Sequence, residues 1–301
     1  MHNRRHTLAR LGQLAVCAPL APAALLSGCT LNPDRDHDGP LAPRQERLGG
    51  RLRMAWVFSS GGPRGFVHVG VVQALDELGL KPDLIVGASA GALVGVLRAA
   101  GLNGLTLKEL SLDLQPWSLG RLAWGGSERL STLGLADWID EQVGQRPLQA
   151  LGIPVACVAW RPARRDLVAF TQGHSGLAVA ASCAIEGQFV PVRIRGEPHV
   201  DADLHQPMPV RLARALGAQR VLAVDASAKE WLAPPGTERW RAGDLRKREL
   251  TRPDSEAADR VLHPDIGYYA SISREYRQRV IEAGYRDTLA QARALRELHA
   301  A

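Results

Sequence analysis

Cysteine and aromatic residues are scarce in this chain of 301 residues, which has four cysteines and 5% aromatic side chains. No group of histidines and cysteines has the spacing of a metal site, and no zinc-finger or base-stacking pattern accompanies the basic residues. The formal net charge of +6 falls to +3 without residues 1–28, which carry three arginines and no acidic residue. That charge is too mild to indicate nucleic-acid binding. We therefore expect no metal, no cofactor and no nucleic-acid partner.

Long apolar runs are also few, and the N-terminal one is too short and too rich in proline for a membrane span. Arg4 and Arg5 precede an apolar run that ends in Leu26-Ser27-Gly28-Cys29. This order is typical of a secretory signal, and its exit resembles the bacterial lipobox, in which the cysteine is acylated. The paired arginines resemble a twin-arginine export signal. The sequence predicts a lipoprotein signal peptide over 1–28 and a lipid anchor at Cys29, on the periplasmic side of a bacterial envelope.

The remainder divides into a polar segment and a long body of alternating elements. Residues 29–50 lack periodicity, which predicts a flexible tether, and residues 51–301 form one predicted domain. The strand candidates are 53–58, 84–86, 154–160, 166–171, 191–195 and 220–225. The helix candidates are 65–78, 90–100, 134–143, 176–184, 207–216 and 270–296. This alternation predicts an α/β three-layer sandwich with a mainly parallel central sheet.

Ser89 lies at the centre of a Gly-x-Ser-x-Gly motif, between an apolar strand candidate and a helix candidate. Gly87 and Gly91 permit a turn so sharp that the serine hydroxyl is exposed beside the helix N-terminus. The motif predicts a nucleophile elbow. The competing interpretation is a tight turn that only packs the helix against the strand.

A glycine-rich turn follows the first strand candidate and opens the next helix. Backbone N–H groups at such a turn bind an anion or an oxyanion. Because Pro63 has no N–H, we expect the donors to be Gly61, Gly62 and Arg64. A dinucleotide site is disfavoured, since the first glycine of that fingerprint is missing and no acidic residue ends the next strand.

A third segment starts at Asp201 and runs to Pro209-Val210. The Gly-Gly-x-Arg-Gly loop, the serine elbow and this aspartate, in that order, resemble the patatin-like phospholipase family over roughly residues 53–290. The stretches 180–185 and 189–192 are also similar to the family. The resemblance implies the patatin fold and hydrolysis of acyl esters of phospholipids or related lipids, with membrane lipids as both substrate and anchor surface.

The resemblance also implies a serine–aspartate dyad, with Ser89 as nucleophile and Asp201 as base. Because a carboxylate is normally too weak a base for a serine hydroxyl, the site should bury Asp201 and raise its pKa, with help from nearby Asp203. The family usually has Gly where this chain has Ala202, and commonly Pro where it has Glu186. These departures favour the alternative, a weak or inactive lipoprotein that binds lipid or acts as a scaffold.

Histidine offers a different base. His263 follows Asp201 in the order of an α/β-hydrolase triad, although a loop histidine is more often a surface residue. The other available histidines are His174, His199 and His205. His68, on the first helix, is expected to pack or to support the site by a hydrogen bond.

Three further segments have open interpretations. The tryptophan- and leucine-rich residues 112–138 are predicted either to pack in the core or to form a lid over an acyl chain. Cys157 and Cys183 lie in apolar elements, which favours buried free thiols over a disulfide. Residues 231–259, with two consecutive prolines and a basic run, are expected to be a surface insertion whose charges are solvated.

Overall fold

A computed structural model describes residues 35–115, 119–123, 128 and 130–300. The predicted signal peptide, Cys29, and eight residues of the predicted lid region (116–118, 124–127 and 129, which include Trp117, Trp124, Gly125 and Gly126) lie outside these residues. Within the described ranges, no helix is both long and apolar enough to cross a membrane.

Alternating strands and helices fill the described chain. The strands are β1 (Met54–Phe58), β2 (Leu84–Ala88), β3 (Arg121–Leu122), β4 (Leu130–Ser131), β5 (Val155–Arg161), β6 (Asp166–Phe170), β7 (Val192–Ile194), β8 (Glu197–Asp201), β9 (Arg220–Val224) and β10 (Arg260–Leu262). The helices are α1 (Val67–Glu77), α2 (Ala90–Ala99), α3 (Gly104–Asp113), α4 (Leu133–Gln142), α5 (Ser175–Ser182), α6 (Val210–Ala215), α7 (Arg241–Ala257), α8 (Arg274–Leu289) and α9 (Ala292–Ala300).

The main sheet has the strand order β10-β9-β1-β2-β5-β8-β7, with β6 paired to β5 outside this path. The five strands from β10 to β5 are parallel, whereas β6, β8 and β7 join by antiparallel pairing. The short strands β3 and β4 pair with each other. The predicted mainly parallel sheet is therefore confirmed.

Helices cover both faces of this sheet because its strands are apolar on both sides. In β1, Trp56 and Phe58 pack in one core cluster with residues of α1, α2, α4, α5, α8 and α9. Ala55 and Val57 point the other way, into a second cluster formed with α6 and the end of α7. Strands buried on both faces give continuous apolar runs, which is why β1 and β2 are visible in the sequence. The three-layer prediction is confirmed.

Several elements differ from the sequence prediction. Strands β8 and β10 and helix α3 were not predicted, because these short or mixed segments lack a clear apolar period. The predicted helix 270–296 begins later, at the cap Ser273, whose hydroxyl accepts the Tyr276 N–H at 3.2 Å, and it divides into α8 and α9. The predicted surface insertion contains the 17-residue helix α7. Its charges are not simply solvated, since Arg248 pairs with Glu230 at 2.5 Å.

The described residues near 40, which belong to the predicted tether, form backbone hydrogen bonds with the rest of the domain. The His37 N–H donates to the Arg193 carbonyl at 3.0 Å, and the Arg44 N–H donates to the Gln172 carbonyl at 3.0 Å. Ala42 between them is buried. Backbone pairing with two segments of the domain fixes this stretch, although its composition is that of a linker.

Close contact between α1 and α8 generates a stability prediction. A Cβ at Gly70 would collide with the Ile281 carbonyl oxygen and lie 2.7 Å from the Tyr285 nitrogen, and backbone cannot move aside cheaply. We expect Gly70→Ala to lower the free energy of unfolding by about 2 kcal/mol or more, measured by urea denaturation. Gly243→Ala, in α7, has open space around it and is the matched control. Equal stability of the two variants would contradict the packing.

Candidate active site

Ser89 stands in a strained turn between β2 and α2. Its φ of 54° and ψ of −125° are unusual for a residue with a side chain. A Cβ at Gly87 would lie 2.5 Å from the Ala92 nitrogen, and a Cβ at Gly91 would lie 2.7 Å from the Ser59 carbonyl oxygen. Both glycines are therefore required by close backbone packing. The turn has the geometry of a nucleophile elbow.

The side chain of a second serine, Ser182, holds the backbone of this turn in place. The Ser89 N–H donates to the Ser182 hydroxyl at 2.9 Å, and that hydroxyl donates to the Val158 carbonyl at 2.6 Å. Ser182 is buried on α5, so the bond connects the elbow to the helix and to β5. The stretch 180–185 resembles the family, but the sequence indicated no role for Ser182, because a single serine in an alanine-rich helix carries no signal of its own.

Strand register brings Asp201 to the same place. Ala88 of β2 pairs with Val158 of β5, and the next residue of β5, Ala159, pairs with Asp201 at the end of β8. Ser89 and Asp201 are therefore separated by one intervening strand and lie at the same level across the sheet. The Asp201 N–H donates to the Ala184 carbonyl at 2.9 Å, which fixes the backbone of this residue.

The Asp201 carboxyl is buried and only half satisfied. Its Oδ1 accepts the Asp203 N–H at 2.9 Å, whereas Oδ2 accepts no hydrogen bond from the described residues. Burial raises the pKa of Asp201 to about 7. The adjacent Ser89 hydroxyl lowers that pKa, the charge of Asp203 raises it, and Lys247 lowers it. A carboxyl of this kind can accept and return a proton at neutral pH.

The glycine-rich turn packs directly against the elbow. A 3₁₀ turn covers Gly62–Phe66, and a Cβ at Gly65 would collide with the Ala90 side chain at the start of α2. The N–H of Arg64, which was also predicted as an oxyanion donor, donates to the Gly61 carbonyl at 3.0 Å, so it is less available than the amides of the two glycines. Its guanidinium donates to the Tyr268 carbonyl at 2.7 Å. Gly61 and Gly62 remain the candidate donors of this loop.

An apolar cavity of about 590 Å³ opens beside Ser89. Its polar lining side chains are few, and most of its wall is leucine, valine and aromatic carbon. The wall includes Leu114, Leu119, Leu122, Leu130, Leu135 and Trp138 from the predicted lid region, together with Phe66, Leu93, Val94, Leu97, Leu107, Leu110, Ile185, Phe189 and Ile272. Leu119, Leu135 and Trp138 also belong to the first core cluster or pack against it, as Leu133 does. The described part of the lid region therefore contributes both to the core and to the cavity wall.

The histidines that sequence reasoning considered have other contacts. His263 Nε2 lies 3.0 Å from the Ser227 carbonyl and its Nδ1 lies 4.0 Å from Asp225 Oδ2, next to β9, which is two strands from Ser89. His174 lies 3.1 Å from Asp140, His199 contacts the Glu197 carbonyl, and His205 stacks on Trp160. None of these described contacts reaches Ser89.

His68 is buried beneath the glycine-rich turn. One ring nitrogen, Nε2, lies 2.8 Å from the Ser59 carbonyl. Burial lowers the pKa of His68 to about 4, so the ring is neutral at neutral pH. The predicted packing and supporting role of this residue fits these contacts.

Ala202, which departs from the family pattern, fits without strain. It is absent from the described non-glycine residues with positive φ, and its methyl group is buried in the second core cluster. Glu186, the other departure, is exposed. Neither residue disturbs the backbone that carries Asp201.

Both cysteines of the described chain are free thiols, as predicted. Cys183 lines the cavity near Ser89. Burial and then the Asp201 charge raise the pKa of Cys183 well above its usual range, so it is a neutral thiol. Among the described residues, no group of three or more His, Cys, Asp or Glu side chains is arranged to hold a metal ion.

Comparisons with known proteins identify one matching family model and several relatives. A family model described as patatin-like phospholipase matches residues 56–214. An uncharacterized NTE family protein of Mycobacterium tuberculosis is 31% identical over 199 residues, which cover 63% of this chain and 54% of that protein. Lysophospholipase NTE1 of Mycosarcoma maydis is 26% identical over 208 residues, 66% of this chain and 11% of that protein. The chain thus spans about half the length of the mycobacterial relative.

Solved structures with similarity to this chain include VipD of Legionella pneumophila, with a TM-score of 0.47 and 13% identity, covering 86% of this chain and 70% of that one. The type III effector ExoU gives a TM-score of 0.46 and 16% identity, covering 82% and 54%.

The unsatisfied Asp201 carboxyl generates a prediction for stability against pH. Its pKa in the folded protein is about 7, above the ordinary value of 3.8, so the penalty on the folded state is absent near pH 4, grows as the pH rises, and is complete above pH 7. Asp201→Asn removes the charge with little change in shape. We expect this variant to be more stable than the parent by about 1–3 kcal/mol at pH 8, with a gain that shrinks toward pH 4.

Urea unfolding at pH 8, 6 and 4 measures this effect. Asp254→Asn is the matched control, because Asp254 is equally buried but accepts hydrogen bonds from Gln206 and Arg211. That variant should lose stability. A destabilised Asp201→Asn protein at pH 8 would contradict the proposed burial of an unpaired carboxyl.

Proposed function

The chain belongs to the patatin-like phospholipase family, and on that basis we propose that it is a serine hydrolase that cleaves acyl esters of phospholipids or related lipids. One observation carries the proposal. A strained serine lies beside a buried carboxyl with an unbonded oxygen and a pKa of about 7, at the wall of an apolar cavity. No element of an ordinary packed turn requires this combination.

In the proposed reaction, Asp201 Oδ2 takes the proton of the Ser89 hydroxyl as Oγ attacks the ester carbonyl carbon. The resulting oxyanion accepts hydrogen bonds from the amides of Gly61 and Gly62. The carbonyl re-forms as the bond to the alcohol breaks, and Asp201 gives its proton to the leaving alkoxide. Asp201 then takes a proton from the water that attacks the acyl-serine carbonyl, and it gives this proton to Ser89 Oγ as the acyl bond breaks. The fatty acid is released, and Ser89 and Asp201 return to their starting states.

The cavity supports an acyl chain, rather than a polar head group, as the buried part of the substrate. Its volume of about 590 Å³ lies within the range of roughly 300–1,000 Å³ that is common for small-molecule sites. Leu97 is eight residues beyond Ser89 along α2, about 12 Å at the rise of a helix. We propose that the acyl chain of the substrate extends along α2 from Ser89 toward Leu97, while the head group stays outside the cavity.

The envelope location is likewise a proposal. The Leu-Ser-Gly-Cys29 exit supports acylation of Cys29, and membrane lipids would then be both the anchor surface and the substrate. Exposed apolar side chains at the cavity wall, Leu122, Leu130 and Ile272, agree with contact to a lipid surface.

The alternative of an inactive lipid-binding module is less well supported, because Ala202 fits its position without a positive φ. A fluorophosphonate probe and an ester-hydrolysis assay distinguish the two functions. We expect Ser89→Ala to abolish labelling and to lower kcat by about 10³-fold or more, and Asp201→Asn to be nearly as severe. His263→Ala, with its contacts next to β9, should stay within about twofold of the parent. Labelling that survives in Ser89→Ala would refute the proposal.

Chain-length preference tests the position of the acyl chain. Leu97→Phe adds volume at the far part of the cavity wall. We expect it to lower kcat/KM for long acyl esters relative to short ones by about tenfold, measured with a series of p-nitrophenyl esters. Leu105→Phe, at an exposed position of α3 outside the cavity wall, is the matched control and should leave this ratio unchanged. An identical ratio for Leu97→Phe and the parent would place the chain elsewhere.

A further inference from the structure

Asp203 joins three parts of the site through one residue. Its N–H donates to Asp201 Oδ1 at 2.9 Å, so its backbone holds the carboxyl of the proposed base. Its own carboxylate accepts the hydroxyl of Ser60, the residue that precedes the glycines of the oxyanion loop. The same Oδ1 pairs with the Lys247 ammonium at 2.5 Å.

Lys247 comes from a distant part of the chain. It lies on α7, within the segment predicted to be a solvated insertion and outside residues 56–214 that match the family model. Its Nζ also lies 3.3 Å from the Ser60 hydroxyl. One ammonium group therefore contacts both the segment after the base and the start of the oxyanion loop.

The Lys247–Asp203 ion pair is too exposed to contribute much to the stability of the fold. The Lys247 and Asp203 side chains are 24% and 33% exposed, and pairs at such positions contribute about 0–1 kcal/mol. Its position suggests a different consequence, because Asp203 is two residues from Asp201 and carries a charge of the same sign. An unpaired Asp203 would oppose ionisation of the base.

We propose that Lys247 is a positioning residue for the reaction, whose ion pair with Asp203 balances the charge beside Asp201 and joins the oxyanion loop to the segment that carries the base. This inference rests on the proposed function. Helix α7 thereby controls, from outside the region of family similarity, how readily Asp201 accepts the Ser89 proton.

The charged groups around the Asp201 and Asp203 carboxyls shift the pKa of each carboxyl in the direction that the proposal requires. Asp201 faces Asp203 on its own segment, Lys247 on α7 and the neutral Cys183 thiol at the end of α5. Asp203 faces Lys247, Ser60 and Arg64. Burial raises the pKa of Asp203, but Lys247 and these neighbours outweigh it, so its pKa lies below the usual value and it stays ionised.

Opposite substitutions separate charge balance from simple structural damage. Lys247→Met leaves Asp203 unbalanced, so the acidic limb of the kcat/KM profile should move to higher pH. We expect about a threefold loss at pH 6, corresponding to roughly half a pH unit, with recovery toward pH 9. Asp203→Asn removes the like charge but can still accept the Ser60 hydroxyl, so its acidic limb should move to lower pH. Lys247→Arg should restore the parent limb.

Two controls complete the experiment on the full chain. Arg248→Met removes the neighbouring cation of α7, whose partner is Glu230, and should leave the limb in place. The infrared carboxyl band that disappears in Asp201→Asn follows the titration of Asp201 without turnover, and it should shift in the same directions. Opposite shifts in the two variants support the proposal, whereas shifts in one direction, or none, overturn it.

Failure of the proposed function has a different signature. It would appear as a parent protein without ester hydrolysis, or as activity that survives in Ser89→Ala. Failure of the present inference would appear as a Ser89-dependent hydrolase whose Asp201 titration is insensitive to Lys247 and Asp203.

Discussion

The buried carboxyl of Asp201 is the constraint around which the site is organised. One oxygen is held by a backbone N–H, and the other accepts nothing from the described residues. Such a group is costly in a folded protein, since an ionised carboxylate loses its hydration and gains little beyond one backbone hydrogen bond and the adjacent Ser89 hydroxyl. The cost is also the source of its basicity. The site is thus an instance of local instability that a large apolar core must offset.

Rigid backbone makes that arrangement possible. Register across β2, β5 and β8 sets the positions of Ser89 and Asp201, and the support from Ser182 fixes the elbow from behind. Gly65 and Gly91 allow the oxyanion loop and the first strand to approach α2 at distances that a side chain would prevent. Elements of the core, rather than mobile loops, therefore hold the reacting groups, and proton transfer requires little reorganisation.

Sequence reasoning recovered the elements with strong local signals. Strands buried on both faces, such as β1, give apolar runs, and the Ser89 turn depends on glycines that are visible in the sequence. It missed β8, where Pro198 interrupts the apolar pattern, and the commitment of the Arg64 N–H, which depends on turn geometry. Lys247 was assigned to solvent because an ion pair across 44 residues leaves no trace in periodicity or composition. Local pattern predicts elements, whereas pairing across the chain needs the fold.

The segment near residue 40, which is bonded to the domain, limits how far the domain can lie from a lipid anchor at Cys29. If Cys29 carries a lipid, as proposed, then only seven residues, or eight Cα–Cα steps, separate it from His37, whose backbone is fixed to the domain. Fully extended, they span at most about 28 Å. A connection of that length would keep the distance between the domain and the bilayer to about the radius of the domain. Substrate would then be drawn from the leaflet that holds the anchor, at a local concentration set by the membrane and not by bulk solution.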